Sequence, residues 1–141
     1  MTPLFVAACS GNVEAMRLLL SKKANANVAA DTDGATLLHI FAQEGRVEAT
    51  KLLLEYSNVD VNANDARNCT ALQVAAFWNR TEIVKSLSDG RADVNFVGKN
   101  GKTALHVAAT RGHWEVTKML LEHKADASNT DDNGNTALHL A

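Results

Sequence analysis

The chain has 141 residues, 46% of them hydrophobic and 21% charged, with a formal net charge of −2. That is enough for one ordinary domain, too apolar for a disordered segment, and too near neutrality for a global field that would draw nucleic acid or a membrane surface. No run approaches the ~18 apolar residues that cross a bilayer, and the N-terminal Met1–Asn12 segment lacks the basic region and long apolar core of a secretion signal.

A chain of the cytoplasm or the nucleus is therefore expected. Its two cysteines, Cys9 and Cys69, form no CxxC pair. They fall two copies apart in the repeat described next, roughly 20 Å if helix layers stack at ~10 Å. A disulfide tolerates only ~7 Å between Cα atoms, so two free thiols are expected.

Along the chain one unit is written several times. Thr recurs as Thr2, Thr36, Thr70, Thr103 and Thr136, at intervals of 34, 34, 33 and 33 residues. Each begins a short helix, because a threonine hydroxyl can accept from a free N–H of the first turn. Leu follows two residues later in every copy (Leu4, Leu38, Leu72, Leu105, Leu138). Nine residues after Thr stands Gly11, Gly45, Asn79 or Gly112, ending the helix, and twelve after stands Glu14, Glu48, Glu82 or Glu115 in a second one. The fourth copy states the unit most fully. Leu105, Ala108 and Ala109 share one face of its first helix, and Val116, Met119 and Leu120 one face of its second. Neither face can be buried without neighbours.

Taken in order, the copies span about 1–30, 31–64, 65–97, 98–130 and 131–141, together one domain. The second has an extra residue around Ser57–Asn58. The third departs most: Gln73 replaces His, Asn79 replaces Gly, and Ser86 and Ser88 stand where other copies carry Leu or Met. It is expected to be the weakest layer, since a buried unpaired hydroxyl costs ~1–3 kcal/mol. The fifth copy stops inside its first helix, leaving Leu138 and Leu140 in need of cover. An array that continues, or another element over its ends, is expected.

The period, the Thr-x-Leu-His helix starts, the link Gly112-His113-Trp114-Glu115-Val116 and the exit Ala92-Asp93-Val94-Asn95 resemble the ankyrin-repeat family over the whole chain. The resemblance implies an all-α fold: a solenoid of helix-turn-helix units joined by β-hairpin-like turns. Ala pairs in the first helices and Leu-rich second helices imply a stack that curves, with first helices and turn tips on the concave side. Phe41, in place of the first Ala of its pair, predicts local widening. His39, His106 and His139 are expected to bond the local Thr and turn, His123 to be an exposed helix-end residue, and Trp114 to pack.

Three chemical motifs fail on spacing. Gly101-Lys102-Thr103 ends like a phosphate loop, but the first glycine of that motif would fall on Phe96. Asn129, Asp131 and Asn133-Gly134 begin like a calcium loop, but the bidentate carboxylate would fall on Leu140. The in-phase histidines are a layer apart, ~10 Å, too far for one metal. No Ser or Cys stands with His and Asp outside the repeat pattern. A non-enzymatic monomer without cofactor or metal is expected.

The resemblance implies a protein partner, bound through turn tips and the exposed ends of first helices. Carried onto this sequence, the contact residues are Asp33, Gln43, Glu44, Arg67, Phe77, Trp78, Lys99, Lys102, Thr110 and Arg111. The wider set adds Cys9, Ser10, Thr32, Ala35, Ala66, Cys69, Asn100, Asp132, Asn133 and Asn135. Phe77 and Trp78 occupy the slot held by Gln43-Glu44 and Thr110-Arg111, so they read as an aromatic anchor. Charge changes sign along the row, from Asp33 and Glu44 to Arg67, Lys99, Lys102 and Arg111. Asn62 and Asn95, each after Asp-Val, are candidate sites of asparagine hydroxylation. The alternative is a regulatory or structural segment of a larger channel, kinase or cytoskeletal adaptor.

Overall fold

The computed structural model describes residues 2–56 and 58–141. Among them nine α-helices follow one another: α1 (Pro3–Cys9), α2 (Val13–Ser21), α3 (Leu37–Glu44), α4 (Val47–Leu54), α5 (Ala71–Phe77), α6 (Thr81–Asp89), α7 (Ala104–Thr110), α8 (Trp114–Glu122) and α9 (Ala137–Leu140). Odd-numbered helices form one layer and even-numbered helices a second. Each of the first four odd helices packs on the even helix that follows it. The insertion expected at Ser57–Asn58 falls on Ser57, outside the described residues.

The connecting loops double back. The N–H groups of Asp65, Gly98 and Asp131 donate to the carbonyls of Cys69, Lys102 and Asn135 at 2.9–3.0 Å. Only one isolated antiparallel bridge, Asn64 with Thr70, occurs among the described residues. The hairpin-like turns are therefore hydrogen-bonded loops that stop short of becoming strands. In three of them an aspartate organises the tip: Oδ1 of Asp31, Asp65 or Asp131 accepts two backbone N–H groups, two and four residues on. The fourth tip has Gly98 instead.

Helices of four to nine residues are too short to persist alone, so packing holds them. The Ala pairs of α1, α5 and α7 are buried, as are Leu52 and Leu53 of α4 and Val116 and Leu120 of α8. Between first and second helices the chain turns through a left-handed residue. Gly45 and Gly112 have φ of 75° and 71°, and Asn79 takes the same slot at 57°. Asparagine is among the few side chains that tolerate that region, which explains the third copy's departure from Gly.

Among the described residues, three rows of polar side chains run between successive copies, each row spanning three of the four junctions. In the first, the imidazole three residues after Thr accepts at Nδ1 from the Thr N–H and presents Nε2 to a carbonyl of the next tip. His39 reaches Cys69 O at 2.8 Å and His106 reaches Asn135 O at 3.1 Å. An Nδ1 that accepts and an Nε2 that donates define one neutral tautomer. Gln73 reproduces it: Oε1 accepts from Thr70 N–H at 3.1 Å and Nε2 donates to Lys102 O at 2.9 Å. In the second row, Arg46 donates to Ala8 O, Arg80 to Gln43 O and His113 to Phe77 O, each meeting the carbonyl end of the preceding odd helix. In the third, Asn27, Asn62 and Asn95 each donate to one backbone carbonyl of the next exit loop and accept one N–H from it. The amides of the two hydroxylation candidates are thus engaged between copies.

Several expectations change on contact with the structure. Phe41 is buried, and α1 approaches α3 less closely than α3 approaches α5 or α5 approaches α7, in keeping with widening there. In the third copy Ser86 Oγ donates to Glu82 O at 2.9 Å, while Ser88 Oγ is, among the described residues, the one buried polar side-chain atom without a partner. Trp114 does not pack. It is 73% exposed, because it precedes buried Val116 by two helical residues, about 200° around the axis. His123 is half-buried rather than exposed. Its Nδ1 meets Met119 O at 2.9 Å and its Nε2 meets Asp89 Oδ1 of the preceding copy at 2.5 Å. Leu138 lies 83% exposed on α9, which packs against α7.

Candidate partner-binding groove

The loop tips are tied to one another unevenly along the stack. The N–H of Ala66 donates to Asp33 O at 2.7 Å, tying the second tip to the third. The N–H of Asp132 donates to Asn100 O at 3.0 Å, tying the fourth to the fifth. No equivalent bond joins the third tip to the fourth among the described residues. Two adjoining depressions open there, of 310 Å³ and 190 Å³. Both are lined by Cys69, Gln73, Phe77, Lys99 and Val107. The larger extends to Gln43, Arg67, Val74 and Trp78, the smaller to Asn100, Lys102, Thr110 and Arg111.

Two features of the third copy shape this place. Gln73 sits where its neighbours carry His, and its amide spans to both Lys102 O and Phe96 O. That reach needs the absence of a side chain at residue 98. A Cβ on Gly98 would lie 2.6 Å from Asn68 O and 2.7 Å from Gln73 Oε1. Phe77 ends α5, and its carbonyl is held by His113. Its ring stands edge-on to Trp78, centroids 5.3 Å apart at 74°, and the Arg111 guanidinium lies 4.3 Å over its face. Phe77 remains 39% and Trp78 45% exposed, so neither ring is absorbed into the core.

The charges are unevenly placed. Among the described residues no carboxylate lies within ion-pair distance of Lys99, Lys102 or Arg111. Arg67 is held by buried Asp65 through two bonds, 3.0 and 3.2 Å. Burial pushes the Asp65 carboxyl up. The hydrogen bonds from Cys69 N–H, the Arg67 side chain and Arg67 N–H, with the guanidinium charge, outweigh that and leave it below the usual carboxylate range. Burial first, and the Asp65 charge second, push the Cys69 thiol up, so this groove cysteine is disfavoured as a thiolate.

Of the ten expected contact residues, eight line the two depressions: Gln43, Arg67, Phe77, Trp78, Lys99, Lys102, Thr110 and Arg111. Asp33 and Glu44 do not. Asp33 is an exposed tip residue, and Glu44 is paired with Arg46, so the sign change along the row rests on fewer available carboxylates than the sequence suggests. The hydroxyl of Thr110 bonds back to His106 O. In the wider set Ala35 is buried and offers no contact. Sequence reasoning overlooked Gln73, Val74 and Val107, which supply floor and wall. It also overlooked Arg46 and Arg80, whose recurrence in phase with His113 was the available signal.

A family model described as "Ankyrin repeats (3 copies)" matches residues 4–97 and also residues 82–141. The chain belongs to the ankyrin-repeat family. Ankyrin repeats are generally protein–protein interaction modules, and the depressions lie on the odd-helix and tip surface of this ankyrin stack. No curated protein matches the chain. No helix among the described residues is long and apolar enough to cross a membrane, and no cluster of three or more potential metal ligands occurs among them.

Proposed function

We propose that this ankyrin stack is a non-enzymatic interaction module that receives a protein partner in the groove between its third and fourth copies. The observation that supports the reading is the exposed Phe77–Trp78 pair beside an apolar depression in the interior of the row of tips. Aromatic anchors near the centre of an interface contribute most to affinity. The ring pair is also preorganised, by Arg111 over Phe77 and by His113 on its carbonyl, so little freedom is lost on binding. The two cysteines are free thiols, which suits a reducing compartment, the cytoplasm or the nucleus.

The test is quantitative affinity capture with the wild type and with Trp78→Ala. Trp78→Ala is expected to weaken a captured partner by ~2 kcal/mol or more while leaving the melting temperature nearly unchanged. An identical set of partners retained at identical affinity would remove the groove as the binding site.

A further inference from the structure

The composition of the groove wall carries a statement about the partner's chemistry, which rests on the binding reading above. The chain has 16 acidic and 14 basic residues, yet the two depressions are lined by four basic residues and no acidic one. Among the described residues no carboxylate lies within ion-pair distance of Lys99, Lys102 or Arg111. They border the smaller depression, whose mainly apolar surface also includes Phe77, Val107 and Cys69. Three like charges around one apolar hollow set up a local positive field that favours an opposite charge beside it.

We infer that the occupant is an acidic protein segment in which an Asp or Glu lies next to a large apolar side chain. The apolar side chain lies across the two adjoining depressions, against Phe77 and Val107, which line both, and Trp78, which lines the larger. The carboxylate meets Lys99 and Lys102, with Arg111 held over the Phe77 ring completing the positive rim. Nucleic acid fits less well. Phosphates follow one another along a strand and call for a continuous basic stripe. Here the basic cluster is local, with exposed Asp33 and Glu44 before it in the row of tips and helix ends and Asp132 beyond.

The test uses a phage library of random twelve-residue peptides, selected on the full chain, with a random-sequence single-stranded DNA oligonucleotide as a second probe. Selected peptides should be enriched in Asp or Glu beside Leu, Phe or Trp. Their binding should weaken with salt, fall about tenfold or more in K99E/K102E, fall less in K99Q/K102Q, and be lost in Trp78→Ala. Circular dichroism melts of each variant verify folding. Peptides that need Trp78 but lack acidic enrichment and ignore the lysine changes would overturn this inference and leave the groove reading standing. Peptides indifferent to Trp78→Ala, or no selected peptides at all, would overturn both. Oligonucleotide binding as tight as the peptides', abolished by K99E/K102E, would overturn the acidic protein segment in favour of nucleic acid.

Discussion

Gln73 and Gly98 depart from the pattern of their neighbours together, and the structure makes them one unit. At the flanking positions His39 faces the tip of Asp65, and His106 the tip of Asp131. At the third interface Gln73 faces Gly98. A Cβ at residue 98 would sit 2.6 Å from Asn68 O and 2.7 and 2.8 Å from the two amide atoms of Gln73. The backbone carbonyl cannot move cheaply, so the amide must leave. Gln73 is 4% exposed, and its amide holds Thr70 N–H, Lys102 O and Phe96 O. Overpacking costs ~1–3 kcal/mol and a stranded buried polar group a further ~1–3 kcal/mol, so Gly98→Ala or Gly98→Asp should destabilise by about 2–4 kcal/mol. In the Gln73→His background, Gly98→Asp rebuilds the arrangement of the other interfaces, and its cost should fall by at least about 1.5 kcal/mol. Urea unfolding of the four proteins, followed by far-ultraviolet circular dichroism, gives the coupling energy directly. Equal slopes across the four curves are needed for the comparison, because repeat arrays can lose cooperativity. A cost of Gly98→Asp that is the same in both backgrounds within about 0.5 kcal/mol would refute the coupling.

Two further outcomes follow from side-chain contacts between or within copies. Both ring nitrogens of His123 face acceptors, Met119 O and Asp89 Oδ1, so the geometry calls for the imidazolium. The Met119 carbonyl first, then the Asp89 carboxylate, raise its pKa above the ordinary 6.5, with Glu122 adding a smaller push. Because the folded value is raised, this contribution is fully present below 6.5 and is lost as pH rises through the raised value. Melting temperatures followed from about pH 6 upward should therefore show a loss in the wild type that is smaller in Asp89→Asn, where only the Met119 bond remains; parallel curves for the two would count against a part for Asp89. Ser88 Oγ is buried without a partner, so Ser88→Ala should stabilise the chain by ~1 kcal/mol in the same urea assay, and a loss of stability would show that the hydroxyl is satisfied after all.

Much of the fold was legible in the residues because its causes are local and repeated. A Thr cap, a Leu two residues on and a left-handed turn nine residues on define each helix pair, and the period survives substitution of Gly by Asn because Asn79 still adopts φ of 57°. The aromatic slot at Phe77 and Trp78 was legible for the same reason, as a break in an otherwise constant pattern. Other features depended on which groups meet in space and which way each side chain faces. Gln73 reads as a defect in sequence, yet it replaces the histidine's bonds and adds one to Phe96 O. Trp114 is apolar by type, but the phase of α8 turns it outward. Glu44 reads as a free charge until Arg46 is seen beside it. The sequence by itself determined the stack, because short-range caps and turns recur in it. Only the tertiary structure decided where the stack opens and which charges border the opening, because those depend on how one copy's side chains reach the backbone of the next.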